Sequence, residues 1–165
     1  ATCLLFPQVS EMEELANQLL DPIPLCGAFR GLIYTCGGLD PDTSSRAVNI
    51  ILQLLAKRGH EEFVSVALSA LFEDRLVTSV IFTVSKISNN LTVEFLMEFT
   101  SIFIEKLIPK TQNIRKLLPA FSLLIQLNAT EELAGKFNVF LVDQSENHKF
   151  PPIRQLIASS LQNKQ

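Results

Sequence analysis

The sequence has no tryptophan, one tyrosine and two histidines. Nucleic-acid bases stack on aromatic platforms, so a base-stacking surface of the usual kind is not expected here. His60 and His148 have neither a ligand at the i, i+4 helical spacing nor a nearby Cys pair, so no zinc or other structural metal is expected. Both read as surface residues, His60 at a helix start and His148 in a polar loop. Cysteine is scarce as well. Cys3, Cys26 and Cys36 form an odd set with no close pair. Such a set suits a reducing intracellular compartment, nucleus or cytoplasm, where free Cys packs as a small hydrophobe. No run approaches the roughly 18 charge-free apolar residues of a membrane span. The apolar start, Cys3 to Phe6, is too short for the core of a signal peptide.

Charge is also low. Charged residues make up 19% of the chain, against about 25% in an average soluble domain, so part of the surface is expected to be covered by something other than water. The net charge of -3 gives no general electrostatic case for nucleic acid. The charges are unevenly placed. Residues 1–85 carry ten acidic and five basic side chains, and residues 86–165 carry seven acidic and nine basic.

What is abundant is apolar helix-period sequence, broken by Pro, Gly, Asn and Asp. In the segment Ser44 to Arg58, Ala47, Val48, Ile50, Ile51, Leu52, Leu54 and Leu55 fill one broad face, and Gly59 ends the run. Ser10 followed by Glu13 is a capping box for a helix through Leu20. Pro24 to Cys36 reads as a second helix, with Leu25, Phe29, Leu32 and Ile33 inward and Gly37-Gly38 as the stop. Asp40 to Thr43 is turn and cap chemistry before the third. His60 to Phe72 is the fourth, with Phe63, Val66, Ala67, Ala70 and Leu71 inward. Leu76 to Ile87 is rich in β-branched residues, so a strand is an alternative there, but its helical neighbours favour helix.

Thr92 to Ile108 is a long amphipathic helix with Phe95, Leu96, Phe99, Ile102, Phe103 and Leu107 on one face. Gln112 to Leu127 follows, with Pro119 expected to kink it. Asn128-x-x-Glu131 resembles a capping box and predicts a helix through Val142. Asp143 to Lys149 reads as a polar loop, and Ile153 to Leu161 as a closing helix with Pro152 in its first turn. That makes about nine helices joined by short loops, which must pack as antiparallel neighbours. Pairs recur about every 30–40 residues. The expected fold is all-α: stacked antiparallel helical hairpins in a HEAT-like right-handed solenoid, with an irregular helical bundle as the alternative. The expected organisation is one all-helical domain over residues 1–165, with a piece of a longer protein as the further reading.

The chemistry-bearing residues read as structural. Glu13/Glu14, Glu61/Glu62 and Glu131/Glu132 fall in presumed first helical turns, where carboxylates complement the helix dipole. Cys26 and Cys36 lie in an apolar helix and read as core. Gly27 and Gly31 are four apart, a spacing that allows close helix crossing, and no Gly-Lys-Ser/Thr follows to make a phosphate loop. The sequons at Asn90 and Asn128 read as helix starts. Of the twelve phenylalanines, Phe63, Phe72, Phe82, Phe95, Phe99, Phe103, Phe121, Phe137 and Phe140 read chiefly as inter-helix core. The runs Leu76 to Val84 and Phe137 to Val142 are apolar all round. Each is therefore central or docked on a partner.

The last 70 or so residues resemble the end of the helical-repeat domain of the Fanconi anaemia core-complex E subunit family. The likeness lies in the Phe99 to Leu107 helix ending in Glu-Lys-Leu, the apolar stretch Leu117 to Leu127, the turn Asn128 to Glu131, and Asn147-His148-Lys149-Phe150 before Ile153-Arg154-Gln155-Leu156. Pro151-Pro152 departs from it, standing where an uninterrupted helix start is expected. The resemblance implies a non-enzymatic nuclear adaptor bridging subunits of a DNA-repair ubiquitin ligase.

The residues alone point to an interaction module that binds another protein or complex subunit, with no enzymatic activity, cofactor, small-molecule substrate, direct nucleic-acid contact or membrane association. A regulatory or dimerisation domain, its surplus apolar surface buried in a homo-oligomer, is the second reading. An enzyme with an unrecognised site is the third. The candidate contact surface joins a basic rim, Lys106, Lys110, Arg115 and Lys116, to apolar anchors at Phe137 and Phe140.

Overall fold

A computed structural model describes residues 26–58 and 60–162. Among them the fold is all-helical, with eight α-helices and no strand. The expected helix Ser10 to Leu20, the residues Pro24 and Leu25, and the stop at Gly59 lie outside the described residues. The chain divides into two compact units, Ala1–Leu91 and Thr92–Gln165.

The first unit holds α1 (Cys26–Cys36), α2 (Pro41–Arg58), α3 (Glu61–Ala70) and α4 (Val77–Ile87), closed by a 3-10 turn at Ser88–Asn90. Helix α1 is the hub and packs against the other three. Its face Phe29, Leu32, Ile33 and Cys36 is fully buried. Phe29 meets Phe63 of α3 edge to face at 5.6 Å, the offset that aromatic quadrupoles favour. The β-branched stretch is helical, as its neighbours require. Its inward residues Val77, Val80, Ile81, Val84 and Ile87 are buried at i, i+3, i+4 spacing.

Two short connections set the geometry of this unit. Helix α1 stops at Gly37, where an added Cβ would sit 2.1 Å from the Ser79 hydroxyl and 3.0 Å from the Ser79 Cα. The end of α1 thus approaches the first turns of α4 too closely for a side chain at this position. Helix α2 begins at Pro41, three residues before the expected Ser44. Asp40 caps it, accepting hydrogen bonds from the Thr43 amide (3.3 Å) and hydroxyl, and Pro41 occupies a first-turn position where no amide donor is needed. The buried Ser44 hydroxyl donates 2.6 Å to the Cys36 carbonyl, satisfying an acceptor that the end of α1 leaves open.

The second unit holds α5 (Val93–Ile102), α6 (Ile114–Asn128), α7 (Asn138–Asn147) and α8 (Pro151–Gln162). Thr92 caps α5, its hydroxyl accepting the Phe95 amide at 3.2 Å. Phe95, Phe99 and Phe103 stack along one face, with centroids 5.4 and 4.8 Å apart. At Phe103–Leu107 the helix widens into a π-turn. The Ile108 amide reaches back five residues to the Phe103 carbonyl at 2.8 Å. A regular period puts Leu107 on the buried face. The π-turn shifts it by one residue, so Ile108 is buried and Leu107 only half-buried.

Helix α6 is capped by Asn113, which accepts the Arg115 amide at 3.0 Å, and it continues past Pro119 to Asn128. There the structure corrects the sequence reading. Asn128 ends a helix and does not start one, residues 129–137 form a looped turn, and α7 keeps only residues 138–142 of the expected helix and runs on through residues 143–147 of the expected polar loop. Asn128 is 2% exposed. Its Oδ1 accepts the Phe137 amide at 3.0 Å, its Nδ2 donates to Asn138 Oδ1 at 2.7 Å, and its carbonyl accepts the Gly135 amide at 3.3 Å. An Asn side chain can cap a helix start or clip a loop. Here Gly135, at φ +77°, lets the chain turn back so that the clip closes. The Asn128 side chain is thereby committed to Phe137 and Asn138, which leaves none for a box with Glu131. Helix α8 packs on α6 and α7 and buries Ile153 and Ile157.

Two variants test these constraints. Gly37→Ala pushes a methyl into α4 and is expected to cost about 1–3 kcal/mol, as overpacking does. Ser79→Gly in the same chain removes the hydroxyl and Cβ it strikes and is expected to recover part of that loss, read as paired urea midpoints. Asn128→Ala strands the Phe137 amide and is expected to cost about 1–3 kcal/mol, the price of a buried unpaired donor. Equal midpoints for Asn128→Ala and wild type would show that the clip contributes nothing.

Candidate functional site

Each unit leaves apolar side chains outside its core. In the first unit a groove of about 270 Å³ lies between α2 and α4, lined by Pro41, Ser44, Ser45, Val48, Asn49, Phe82 and Lys86. Helical spacing builds it. Ser44, Ser45, Val48 and Asn49 recur every three to four residues along α2, while Phe82 and Lys86 stand one turn apart on α4. Phe82, expected in the core, is 37% exposed. The Lys86 ammonium lies 5.3 Å from its ring centroid, a cation–π arrangement that holds the ring on the surface. Chemically the groove offers an aromatic face, a small apolar floor, two amide or hydroxyl partners at Ser45 and Asn49, and one cation.

Phe72 is also a correction. It is 62% exposed in the turn after α3. Beside it in the chain, Glu73 holds Arg30 of α1 through a forked pair, Nη2 to Oε1 at 2.7 Å and Nη1 to Oε2. That bond raises the Arg30 pKa and lowers that of Glu73. Tyr34, one turn beyond Arg30 on α1, is exposed too.

Inside the unit, burial pushes the Cys36 thiol up to about 11, opposed in part by a hydrogen bond with Thr83. At neutral pH it is a protonated core group and no nucleophile. The Cys36 half of the cysteine expectation therefore holds.

Of the four predicted basic residues in the second unit, Lys106 is exposed on the π-turn and Lys110 in the turn after it, Arg115 is exposed and Lys116 half-buried in the first turn of α6. The predicted anchors fare differently. Phe137 is buried, with its amide on Asn128, so it belongs to the core and not to a docking surface. Phe140 is half-buried, its ring parallel to Phe121 at 6.1 Å. The exposed apolar residues of that run are Val139 and Val142, one turn apart on α7, with Val139 86% exposed. The run's all-round apolar character was the signal for them. Phe stood out by size, and the helix phase chose valine.

His148 is the other correction. It is 8% exposed, with the ring edge-on to Phe121 at 5.4 Å. His60 does sit at a helix start, as the N-cap position of α3. Among the described residues, no cluster of three His, Cys, Asp or Glu is placed to hold a metal, and no helix is long and apolar enough to cross a membrane. Compared with known protein families, with characterised proteins and with solved structures, the chain matches none.

Proposed function

We propose that the chain is a non-enzymatic protein–protein interaction scaffold, an adaptor that binds another protein or complex subunit through helix-lined surfaces. The observation that carries this reading is the α2–α4 groove. It presents an exposed aromatic ring, polar partners and a cation in one place, which is the make-up of an interface centre with its rim. The α7 face at Val139 and Val142 is a second such surface. In the finer version of the fold, the short link Gly37 to Asp40 supports helices stacked as antiparallel HEAT-like hairpins. The resemblance of the last 70 residues to the Fanconi E subunit family supports an intracellular setting and makes a nuclear DNA-repair assembly the first to test. The exposed apolar faces also favour the second reading, a dimerisation or regulatory domain, because a second copy would cover them equally well.

Light scattering on the 18.4 kDa chain separates the two readings. The scaffold reading expects a monomer at micromolar concentration, and a concentration-dependent doubling of mass supports self-association. Affinity capture with cross-link mapping then compares two folded variants. Phe82→Asp with Lys86→Glu is expected to weaken partner binding at least tenfold, about 1.4 kcal/mol, and because Phe82 is 37% exposed and packs in part on its own unit, circular dichroism checks that the variant is folded before its affinity is read. Joint charge reversal of Lys110, Arg115 and Lys116 tests the basic rim. Full affinity in both variants overturns the assignment of these surfaces.

A further inference from the structure

His148 joins α7 to α8 and is held on three sides. Its amide donates 3.0 Å to the Gln144 carbonyl, ending α7. Its own carbonyl accepts the Arg154 guanidinium from α8. Its Nδ1 accepts the Phe150 amide at 3.1 Å. This third bond lies at the start of α8. The Phe150 carbonyl accepts the Ile153 and Arg154 amides at 3.1 and 3.2 Å, so Phe150 opens the helix. The next two residues, Pro151 and Pro152, have no amide hydrogen to give. The Phe150 amide is therefore the sole backbone donor from 150 to 152, and the imidazole is its acceptor.

An Nδ1 that accepts a hydrogen bond carries no proton, so the ring is the neutral Nε2–H tautomer. Protonation would set two N–H groups against each other and break the bond. The surroundings also oppose the cation. Phe121 from α6 and Phe150 are apolar rings at 5.4 and 5.7 Å. The charges acting on the ring are Lys149 beside it and Arg154 from α8, both positive. Lys149 is itself held by Gln112 and lies 5.2 Å from the centroid of the Phe150 ring. On α7, the Asp143 carboxylate accepts hydrogen bonds from Asn147 and Gln144, and Glu146 faces solvent.

We propose that His148 is a proton-operated latch: the neutral ring fixes the start of α8 through the Phe150 amide, and protonation releases the α7–α8 connection. Burial first, then Lys149 and Arg154, hold the His148 pKa below its ordinary 6.5. The unfolded chain thus takes up its proton at higher pH than the folded chain. The latch is fully closed above pH 6.5, weakens as pH falls below that value, and is open once pH passes the folded-state pKa.

Native-state hydrogen exchange at the Phe150 amide, corrected for intrinsic rates, is the test, run alongside an NMR titration of the imidazole. Between pH 7.5 and pH 5, protection is expected to fall about tenfold or more, while α6 core amides hold theirs. His148→Asn supplies the control. Its Oδ1 can accept the amide two residues on as an Asx-turn and does not titrate, so protection in that variant is expected to be independent of pH. Constant wild-type protection, an equal pH dependence in His148→Asn, or an imidazole that titrates at or above 6.5 would overturn the latch.

Discussion

The structure depends on each helix burying an apolar stripe against its neighbours. Six of the eight described helices have ten to twelve residues, at or below the length of about 12–15 residues at which an isolated helix is even marginal in water. None is expected to stand alone. Each fully buried Leu, Ile or Phe contributes about 1.5–3 kcal/mol on leaving water, and this is what turns marginal segments into fixed ones. In the first unit the stripe of α1 is shared among three partners, so Phe29, Leu32 and Ile33 tie α2, α3 and α4 into one core. In the second unit the aromatic ladder Phe95, Phe99 and Phe103 extends α5 until the π-turn hands the face on to Ile108.

Such burial forces a second condition, the pairing of polar groups caught inside, which among the described side chains His60 Nδ1 does not meet. The buried Thr83 and Thr100 hydroxyls donate to the carbonyls four residues back, at 2.8 and 2.7 Å. A helix interior can thus hold a threonine at small cost. Thr100 also reaches the Met97 carbonyl at 3.1 Å, just before the backbone leaves α-helical pairing. Asn128 and Ser44 solve the same problem at helix ends by clipping one element to the next. Buried polar side chains in this chain thus sit at connections as well as in helices, where they fix how helices join.

The regular stripes were legible in the sequence, because a 3.6-residue period and a cap each leave a local mark. The faces of α1, α2 and α3 and the caps near Asp40 and Thr92 followed from composition and spacing. The β-branched α4 was legible only through its neighbours, since propensity alone allowed a strand. What could not be read shares one cause: it depends on a residue far along the chain. The role of Asn128 is decided by Phe137 and Asn138, nine and ten residues later, and by a glycine able to take positive φ. The burial of His148 is decided by Phe121. The exposure of Phe82 depends on where α2 lies. Phe137, read as a possible anchor, is buried at the end of the loop that Asn128 clips shut.

Helix α7 brings these threads together. It buries a single residue, Leu141, so the stripe that secures the other helices does little for it. Its ends are held instead by polar clips, Asn128 with Asn138 and Phe137 at the start, and His148 with Gln144 and Phe150 at the finish. Apolar burial is non-directional and tolerates small shifts, whereas a hydrogen bond is lost over a fraction of an ångström or on gain of one proton. An element secured by such bonds is held firmly while they last and opens when one fails. Elements that recognise partners are drawn from the less buried part of a fold, and α7 is also where Val139 and Val142 face outward. The least buried helix of the second unit is therefore the one with a free apolar face and with ends fixed by groups that chemistry can unfasten.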